Sequence, residues 1–216
     1  MLSASFNDDT VAWHENDGEE SFTERIITTT AEGARSVFAA DVDGSGTLDV
    51  LSASRLDATI ALYANDGSPS FTEHIITTTA TIARSVVAKD VNGDGAMDAV
   101  SARVAAIDWY QNDGSESFTA HEVADMSDGE AAVAEDLDGD GDVDILSADH
   151  DDDKVAWHEN DGSESFAEHA ITTLADGATD VQAADVDGDG DLDALAAVYR
   201  DSTVPCQRRS RFIDAR

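Results

Sequence analysis

The feature that most restricts this chain is a repeat. "NDG" occurs at Asn16, Asn65, Asn112 and Asn160, at spacings of 49, 47 and 48 residues. An acidic loop begins at Asp41, Asp90, Asp136 and Asp185, at spacings of 49, 46 and 49. The segments between them also align: "SFTERIITTT" with "SFTEHIITTT", and "TVAWHEN" with "KVAWHEN". A fixed period of 40–50 residues means one supersecondary unit stacked on copies of itself. Each copy holds four short segments rich in Val, Ile, Thr and aromatics, divided by Gly, Asn and Asp, and no clean helical stripe. In the second copy these are "FTEHII", "RSVVAKDV", "MDAVSA" and "AIDWYQN". Four strands per repeat predict an all-β propeller of about four blades, closed or part of a larger ring. Radial repetition also protects strand edges that a flat sheet would expose.

The repeat units read as 17–64, 65–111 and 112–159, with partial units at 2–16 and 160–199 and a non-repeat basic tail at 200–216. "MLSAS" matches "VLSAS" (50–54), so the chain starts inside a unit. The expectation is that the N-terminus supplies the last two strands of a blade and the C-terminus the first three. Joined, they would close a four-bladed ring; if the ring is incomplete, self-association is the alternative.

The acidic loops are "DVDGSGTLD" (41–49), "DVNGDGAMD" (90–98), "DLDGDGDVD" (136–144) and "DVDGDGDLD" (185–193). Side-chain oxygens recur at position 1 (Asp41, Asp90, Asp136, Asp185) and position 3 (Asp43, Asn92, Asp138, Asp187). They recur again at position 5 (Ser45, Asp94, Asp140, Asp189) and position 9 (Asp49, Asp98, Asp144, Asp193). Gly occupies positions 4 and 6 in every copy. Position 7 varies (Thr47, Ala96, Asp142, Asp191), as expected where a backbone carbonyl is the donor. Position 8 is always apolar and is expected to point into the core.

This donor set fits Ca²⁺, which takes six to eight oxygens at about 2.3–2.6 Å, with Gly at position 6 permitting the sharp turn. Mg²⁺ demands tighter octahedral geometry, and zinc would need Cys or His inside the loops. Up to four calcium ions are expected. An EF-hand would carry Glu at position 12; here that position is Ser52, Ser101, Ser147 and Ala196, followed by a strand. Solvated turns without an ion would leave three or four carboxylates repelling each other in one loop. A surface adapted to high salt explains the charge but not the recurring Gly. The loops should differ: those at Asp136 and Asp185 carry the full carboxylate set, Asn92 weakens the second, and Ser45 makes the first the weakest.

On these motifs the chain resembles the FG-GAP/VCBS-type repeats of the integrin alpha-subunit propeller and of many extracellular microbial and algal proteins. The resemblance covers roughly residues 2–198. "SAS", "SAR", "SAD" and "AAV" stand where "GAP" would be, which places it nearer the VCBS type. It implies calcium-ligand roles for the loop residues at positions 1, 3, 5 and 9, and an extracellular role in adhesion or recognition. The N-terminus "MLSASFNDD" shows no basic and apolar leader.

The net charge of −35, from 47 acidic and 12 basic residues, argues against nucleic acid and anionic membranes as partners. No apolar run is long enough to span a bilayer, so membrane insertion is not expected. One cysteine, Cys206, excludes an intramolecular disulfide. His74, His121 and His169 share one repeat position, and His14 and His158 another, which reads as structural. With no asymmetric constellation of nucleophile and base, the chain reads as a non-catalytic binding or scaffold module. Its partner would be a protein or a carbohydrate. Trp13, Trp109 and Trp157 recur, with Leu62 in the remaining copy; alternation places Val and Trp on one face and Ala and His on the other. That favours core packing, with a sugar-facing aromatic ring as the alternative. A lectin-like propeller and an accessory domain of a polysaccharide-degrading enzyme remain the other readings. "DHDDDK" (149–154) is expected to be a solvated loop.

Overall fold

The computed structural model describes residues 1–68 and 70–199, and the backbone of 209–213. It is all-β, in five sheets that follow one another along the chain. The first holds β1 (Leu2–Ser5), β2 (Thr10–Asn16) and β3 (Phe22–Thr28). The second holds β4 (Ala34–Ala40), β5 (Asp49–Ser54), β6 (Thr59–Asn65) and β7 (Phe71–Thr77). The third holds β8 (Ala83–Lys89), β9 (Asp98–Arg103), β10 (Ala106–Asn112) and β11 (Phe118–Asp125). The fourth holds β12 (Gly129–Glu135), β13 (Asp144–Asp149), β14 (Lys154–Asn160) and β15 (Phe166–Thr172). The last holds β16 (Ala178–Ala184) and β17 (Asp193–Val198), with β18 (Arg209–Ile213) beside β17. Within each sheet, consecutive strands pair antiparallel, as hairpin-connected blades require. The rest of the basic tail lies outside the described residues.

The sheets do not coincide with the sequence units. The Asn-Asp-Gly turn is a hairpin, so the "SF" strand after it pairs backward: Asn65 faces Phe71 and Asn112 faces Phe118. Units 17–64, 65–111 and 112–159 therefore each join the outer strand of one sheet to three strands of the next. The two ends also differ from expectation. β1–β3 and β16–β18 form two separate sheets rather than one shared blade.

Four apolar layers separate the five sheets. Val11, Ala31 and Tyr63 lie in the first, and Leu51, Leu62 and Val86 in the second. Val100, Trp109 and Ile145 lie in the third, and Leu146, Val155 and Val181 in the fourth. The middle strands are therefore covered on both faces: β5, β6, β9, β10 and β13 are almost wholly buried. A simple in/out alternation fails for them, as it does for any strand with sheets on both sides. The outer strands β3 and β15 are mostly exposed, and β7 has no buried residue.

The recurrent His residues have structural roles. His121 stacks on Trp109 at a centroid separation of 4.7 Å, and His169 lies over Trp157 at 4.8 Å. The remaining copies pair Leu62 with His74 and Trp13 with Arg25. Trp109 is fully buried, whereas Trp13 and Trp157 are half-buried under their outer-strand partners. His158 is buried and shares a hydrogen bond of 2.8 Å with Ser147 Oγ. Burial pulls its pKa down to about 4, against a weaker upward pull from Glu168.

The unfolded chain takes up that proton near pH 6.5, so this group's contribution is intact above about 6.5 and is lost as pH falls toward 4. The loss amounts to about 3 kcal/mol at most. Comparing urea midpoints at pH 7 and 4.5 in wild type and His158→Gln should show the shallower pH slope in the variant. Equal slopes would refute the assignment, since the carboxylates common to both cancel.

"DHDDDK" is not simply solvated. It is the β13–β14 hairpin, and Asp149 is wholly buried. Its carboxylate accepts the backbone N–H groups of Ser127 (2.8 Å), Asp128 (3.1 Å) and Asp152 (3.2 Å). Three backbone N–H groups converge there, and the two oxygens of one carboxylate accept them all.

Candidate metal centres

Each acidic loop joins the innermost strand of a sheet to the next strand, at the same end of the sheets as the Asn-Asp-Gly turns. Gly at position 6 has φ between +89° and +102° in all four loops, a conformation that side chains rarely adopt. This turn lets the position-1 carboxylate reach across the loop. Asp41, Asp90, Asp136 and Asp185 each accept the N–H of the position-6 glycine at 2.8–3.1 Å.

Carboxylates at positions 1, 3 and 9 converge in three loops. Asp41, Asp43 and Asp49 each bring an oxygen within 4.8 Å of the others. So do Asp136, Asp138 and Asp144, and Asp185, Asp187 and Asp193. The second loop has neutral Asn92 at position 3, so Asp90 and Asp98 are its carboxylates at these positions. Asn92 Oδ1 accepts the Asp94 N–H while its amide donates to Asp94 Oδ2.

Position 5 is not part of these clusters. Its oxygen accepts the N–H of position 7 in every copy: Asp94 to Ala96 (2.8 Å), Asp140 to Asp142 (2.9 Å), Asp189 to Asp191 (3.1 Å) and Ser45 to Thr47 (3.3 Å). A carboxylate keeps a second oxygen for another partner; Ser45 has only one. At position 7, Thr47 Oγ1 donates to the Asn65 carbonyl, and the Asp142 carboxylate fills the space where Gly162 lacks a Cβ.

Position 9 does more than close the loop. Asp49, Asp98 and Asp144 are buried, and each accepts two corresponding backbone N–H groups, Asp49 taking that of Asp43 (3.3 Å) as well. One oxygen takes the N–H of position 2: Val42 at 2.8 Å, Val91 at 3.0 Å, Leu137 at 3.0 Å. The other takes the N–H of the Asn-Asp-Gly asparagine: Asn65, Asn112 and Asn160, each at 2.8 Å. Burial raises the Asp98 and Asp144 pKa values, against these N–H groups, which lower them. The indole nitrogens of Trp109 and Trp157 approach the same two carboxyls without reaching hydrogen-bond geometry.

The asparagine side chains extend the link. Asn112 Nδ2 donates to Met97 O in its own loop (3.1 Å) and to Val42 O in the preceding one (3.3 Å). Asn160 does the same with Val143 O (3.1 Å) and Val91 O (3.4 Å). The repetition of "NDG" in the sequence was the available signal; its attachment to the acidic loop was not foreseen.

Position 8 meets the core in two of the loops, where Met97 and Val143 pack partly buried against the second and third apolar layers. Leu48 is 61% exposed, and Met97, Val143 and Leu192 are only half-buried. Position 2 is the deeper anchor in the first two loops, where Val42 and Val91 are buried, whereas Val186 at position 2 of the last loop is half exposed.

Two observations test whether these loops suit a cation. Asp41 Oδ1 is buried and has no hydrogen-bond partner. At Asp187 the Asp189 N–H pulls the carboxyl down, yet the charges of Asp189, Asp193 and Asp185 leave its pKa raised. An orphaned oxygen and crowded like charges are what a bound cation relieves. The donors are all oxygen, so a hard cation fits them.

The pattern of a strand, a nine-residue acidic loop and a second strand also identifies the family. The FG-GAP-like repeat pattern matches residues 1–52, 41–101, 90–147 and 136–196. This chain belongs to the FG-GAP-like repeat family. Three of the four matches begin at the first aspartate of an acidic loop. No curated protein matches the chain. Among solved structures, this FG-GAP-like chain is similar to an Agrocybe aegerita lectin described as recognising non-reducing terminal N-acetylglucosamine. Identity is 17% and the TM-score 0.60, over 92% of this chain and 62% of the lectin. It is also similar to an auxiliary nutrient binding protein from Bacteroides ovatus, at 12% identity and TM-score 0.57, over 90% and 55%. The chain thus spans less than two thirds of either protein. At these identities the likeness is one of fold, a β-propeller.

Proposed function

We propose that this FG-GAP-like propeller is a calcium-stabilised, non-catalytic binding module that acts outside the cell in recognition or adhesion. The observation that carries the reading is the recurrent convergence of carboxylates at positions 1, 3 and 9, with one buried oxygen left unpartnered. Asp41, Asp43 and Asp49 would hold an ion in the first loop; Asp90, Asn92 and Asp98 in the second; Asp136, Asp138 and Asp144 in the third; Asp185, Asp187 and Asp193 in the fourth. The second oxygens of Asp94, Asp140 and Asp189 and the carbonyls of Thr47, Ala96, Asp142 and Asp191 are further donors. When bound, calcium supplies charge neutralisation and a cross-link between the two strands that flank each loop. The protein's own groups fix the loop beforehand: the position-6 glycine presents the first carboxylate, and position 9 ties the loop to the next hairpin. Extracellular calcium near the millimolar range suits loops of this kind.

Carbohydrate is the favoured ligand class, because both similar folds are described as binding proteins, one of them for a sugar. Among the described residues no helix is long and apolar enough to cross a membrane. Thermal unfolding tests the calcium reading. Chelation with EDTA should lower the melting temperature by many degrees, and added Ca²⁺ should restore it while equal Mg²⁺ does not. An unchanged melting temperature would refute it. Binding to a glycan array, measured in calcium, tests the ligand class separately.

A further inference from the structure

Asn92–Gly93, in the second acidic loop, is the one Asn-Gly pair in the sequence; every other asparagine precedes an aspartate. Asparagine is a chemically labile residue, and a glycine after it offers a backbone nitrogen with no Cβ in the way.

The second loop differs from the third and fourth at that nitrogen. There the position-1 carboxylate accepts the position-4 N–H, Gly139 to Asp136 at 2.8 Å and Gly188 to Asp185 at 2.7 Å. In the second loop Asp90 Oδ1 takes the N–H of Asp94 instead, at 3.1 Å. The Gly93 N–H therefore makes no hydrogen bond among the described residues. Gly93 is exposed, and nothing lies within 4 Å of where its Cβ would be. The Gly44 N–H of the first loop is free in the same way, but Asp43 before it has no amide to lose.

The Asn92 side chain is held against this open nitrogen. Its Oδ1 accepts the N–H of Asp94, two residues on, at 3.1 Å. That turn folds the side chain back along the Gly93 peptide, and the donated N–H draws electron density away from Cγ. Nδ2 donates to Asp94 Oδ2 at 3.0 Å. Asn112 and Asn160 are placed quite differently: both are buried, with Nδ2 bound to two backbone carbonyls each.

We propose that Asn92 is a deamidation site, at which its own backbone converts the second loop to the full carboxylate set. The Gly93 nitrogen gives its proton to solvent and bonds to Asn92 Cγ. The Cγ–Nδ2 bond breaks, and Nδ2 takes up a proton and leaves as ammonia. Water then adds to Cγ of the cyclic imide, the new N–Cγ bond breaks, and the Gly93 nitrogen regains its proton. The balance is asparagine plus water giving aspartate plus ammonia, with no oxidation and no cofactor. Water adding at the main-chain carbonyl would give isoaspartate, with a longer backbone. The loop favours the first route. The Asp94 N–H polarises the Cγ carbonyl, and the backbone is clamped on both sides by Val91 N–H to Asp98 (3.0 Å) and Gly95 N–H to Asp90 (2.8 Å).

The change gives the loop two donors. A carboxylate stands at position 3, where Asp43, Asp138 and Asp187 bring an oxygen into their clusters. Asp94 Oδ2 is also released, because Nδ2 no longer binds it. The gain in metal affinity rests on the reading of these loops as calcium sites; the amide chemistry does not.

The test compares fresh full chain with chain aged for weeks in EDTA at neutral pH. Peptide mapping by mass spectrometry should show the Asn92 segment gain the difference between OH and NH₂, and electron-transfer fragmentation should place aspartate there. Segments holding Asn16, Asn65, Asn112 and Asn160 should not change. Asn92→Gln, which would have to close a larger ring, should not change either. In calcium titrations the aged chain should bind one ion about tenfold more tightly than the fresh chain, as Asn92→Asp does from the start. No mass gain at Asn92, an equal gain at the other asparagines, or isoaspartate as the main product would overturn the proposal. So would an aged isotherm that stays with the fresh one while that of Asn92→Asp moves. The mass is read without metal, so failure of the calcium reading shows separately, as no binding even by Asn92→Asp.

Discussion

Asp98→Ala should destabilise the protein by about 3 kcal/mol even without calcium, a loss set by two buried backbone N–H groups. Val91 and Asn112 both donate to this carboxylate, at 3.0 and 2.8 Å. Removing the acceptor strands both donors, at about 1–3 kcal/mol each. Part of that is offset, because burial already disfavours the ionised Asp98. In a domain of this size, 3 kcal/mol is a fall of roughly 6–12 °C in melting temperature. Asp98→Asn should rescue only part of the loss, since its NH₂ group would face one of the donors. Asp187→Ala, at an exposed position 3, should cost under about 0.5 kcal/mol in EDTA. Urea midpoints in EDTA check all three. If Asp98→Ala were as mild as Asp187→Ala, the clamp between acidic loop and hairpin would be wrong.

Trp109→Ala should be as damaging, for a different reason. Trp109 is fully buried in the layer between the third and fourth sheets, against Val100 and Ile145. Emptying such a site costs about 3–5 kcal/mol, and the lost stacking on His121 adds about 0.5–1.5. Trp13 occupies the same repeat position but is half-buried in the first sheet, so Trp13→Ala should cost about half as much. Denaturant midpoints of the two variants, measured side by side, decide this. Equal losses would mean that sheet packing does not grade the repeat position as the structure indicates.

The repeat made the architecture readable from sequence. Its period of 46–49 residues, with Val- and Thr-rich segments between turn residues, is enough for four-stranded blades. What it concealed was the phase of the blades. A period has no starting point, and only the pairing of Asn65 with Phe71 shows that the "SF" strand closes the sheet before it. Alternation also misled, because strands covered by sheets on both sides have no solvent face. Hence Ile60 and Ala61, neighbours on β6, are both buried, one in each adjoining layer.

In the acidic loops the residue types pointed to positions 1, 3, 5 and 9 alike. Structure separates them. Positions 1, 3 and 9 converge in three loops, position 5 caps the turn, and position 9 also fastens the loop to Asn65, Asn112 or Asn160. That last link joins residues 14–16 apart and carries no local sequence signal.

The four loops being built alike, the central claim can be counted. Equilibrium dialysis of the full chain against radioactive calcium, at millimolar free Ca²⁺, should give three to four ions per chain. Asp138→Ala should remove one of them, and the loop of Asp41, with Ser45 at position 5, should fill last. Fewer than one ion per chain, or a count that Asp138→Ala leaves unchanged, would contradict the account.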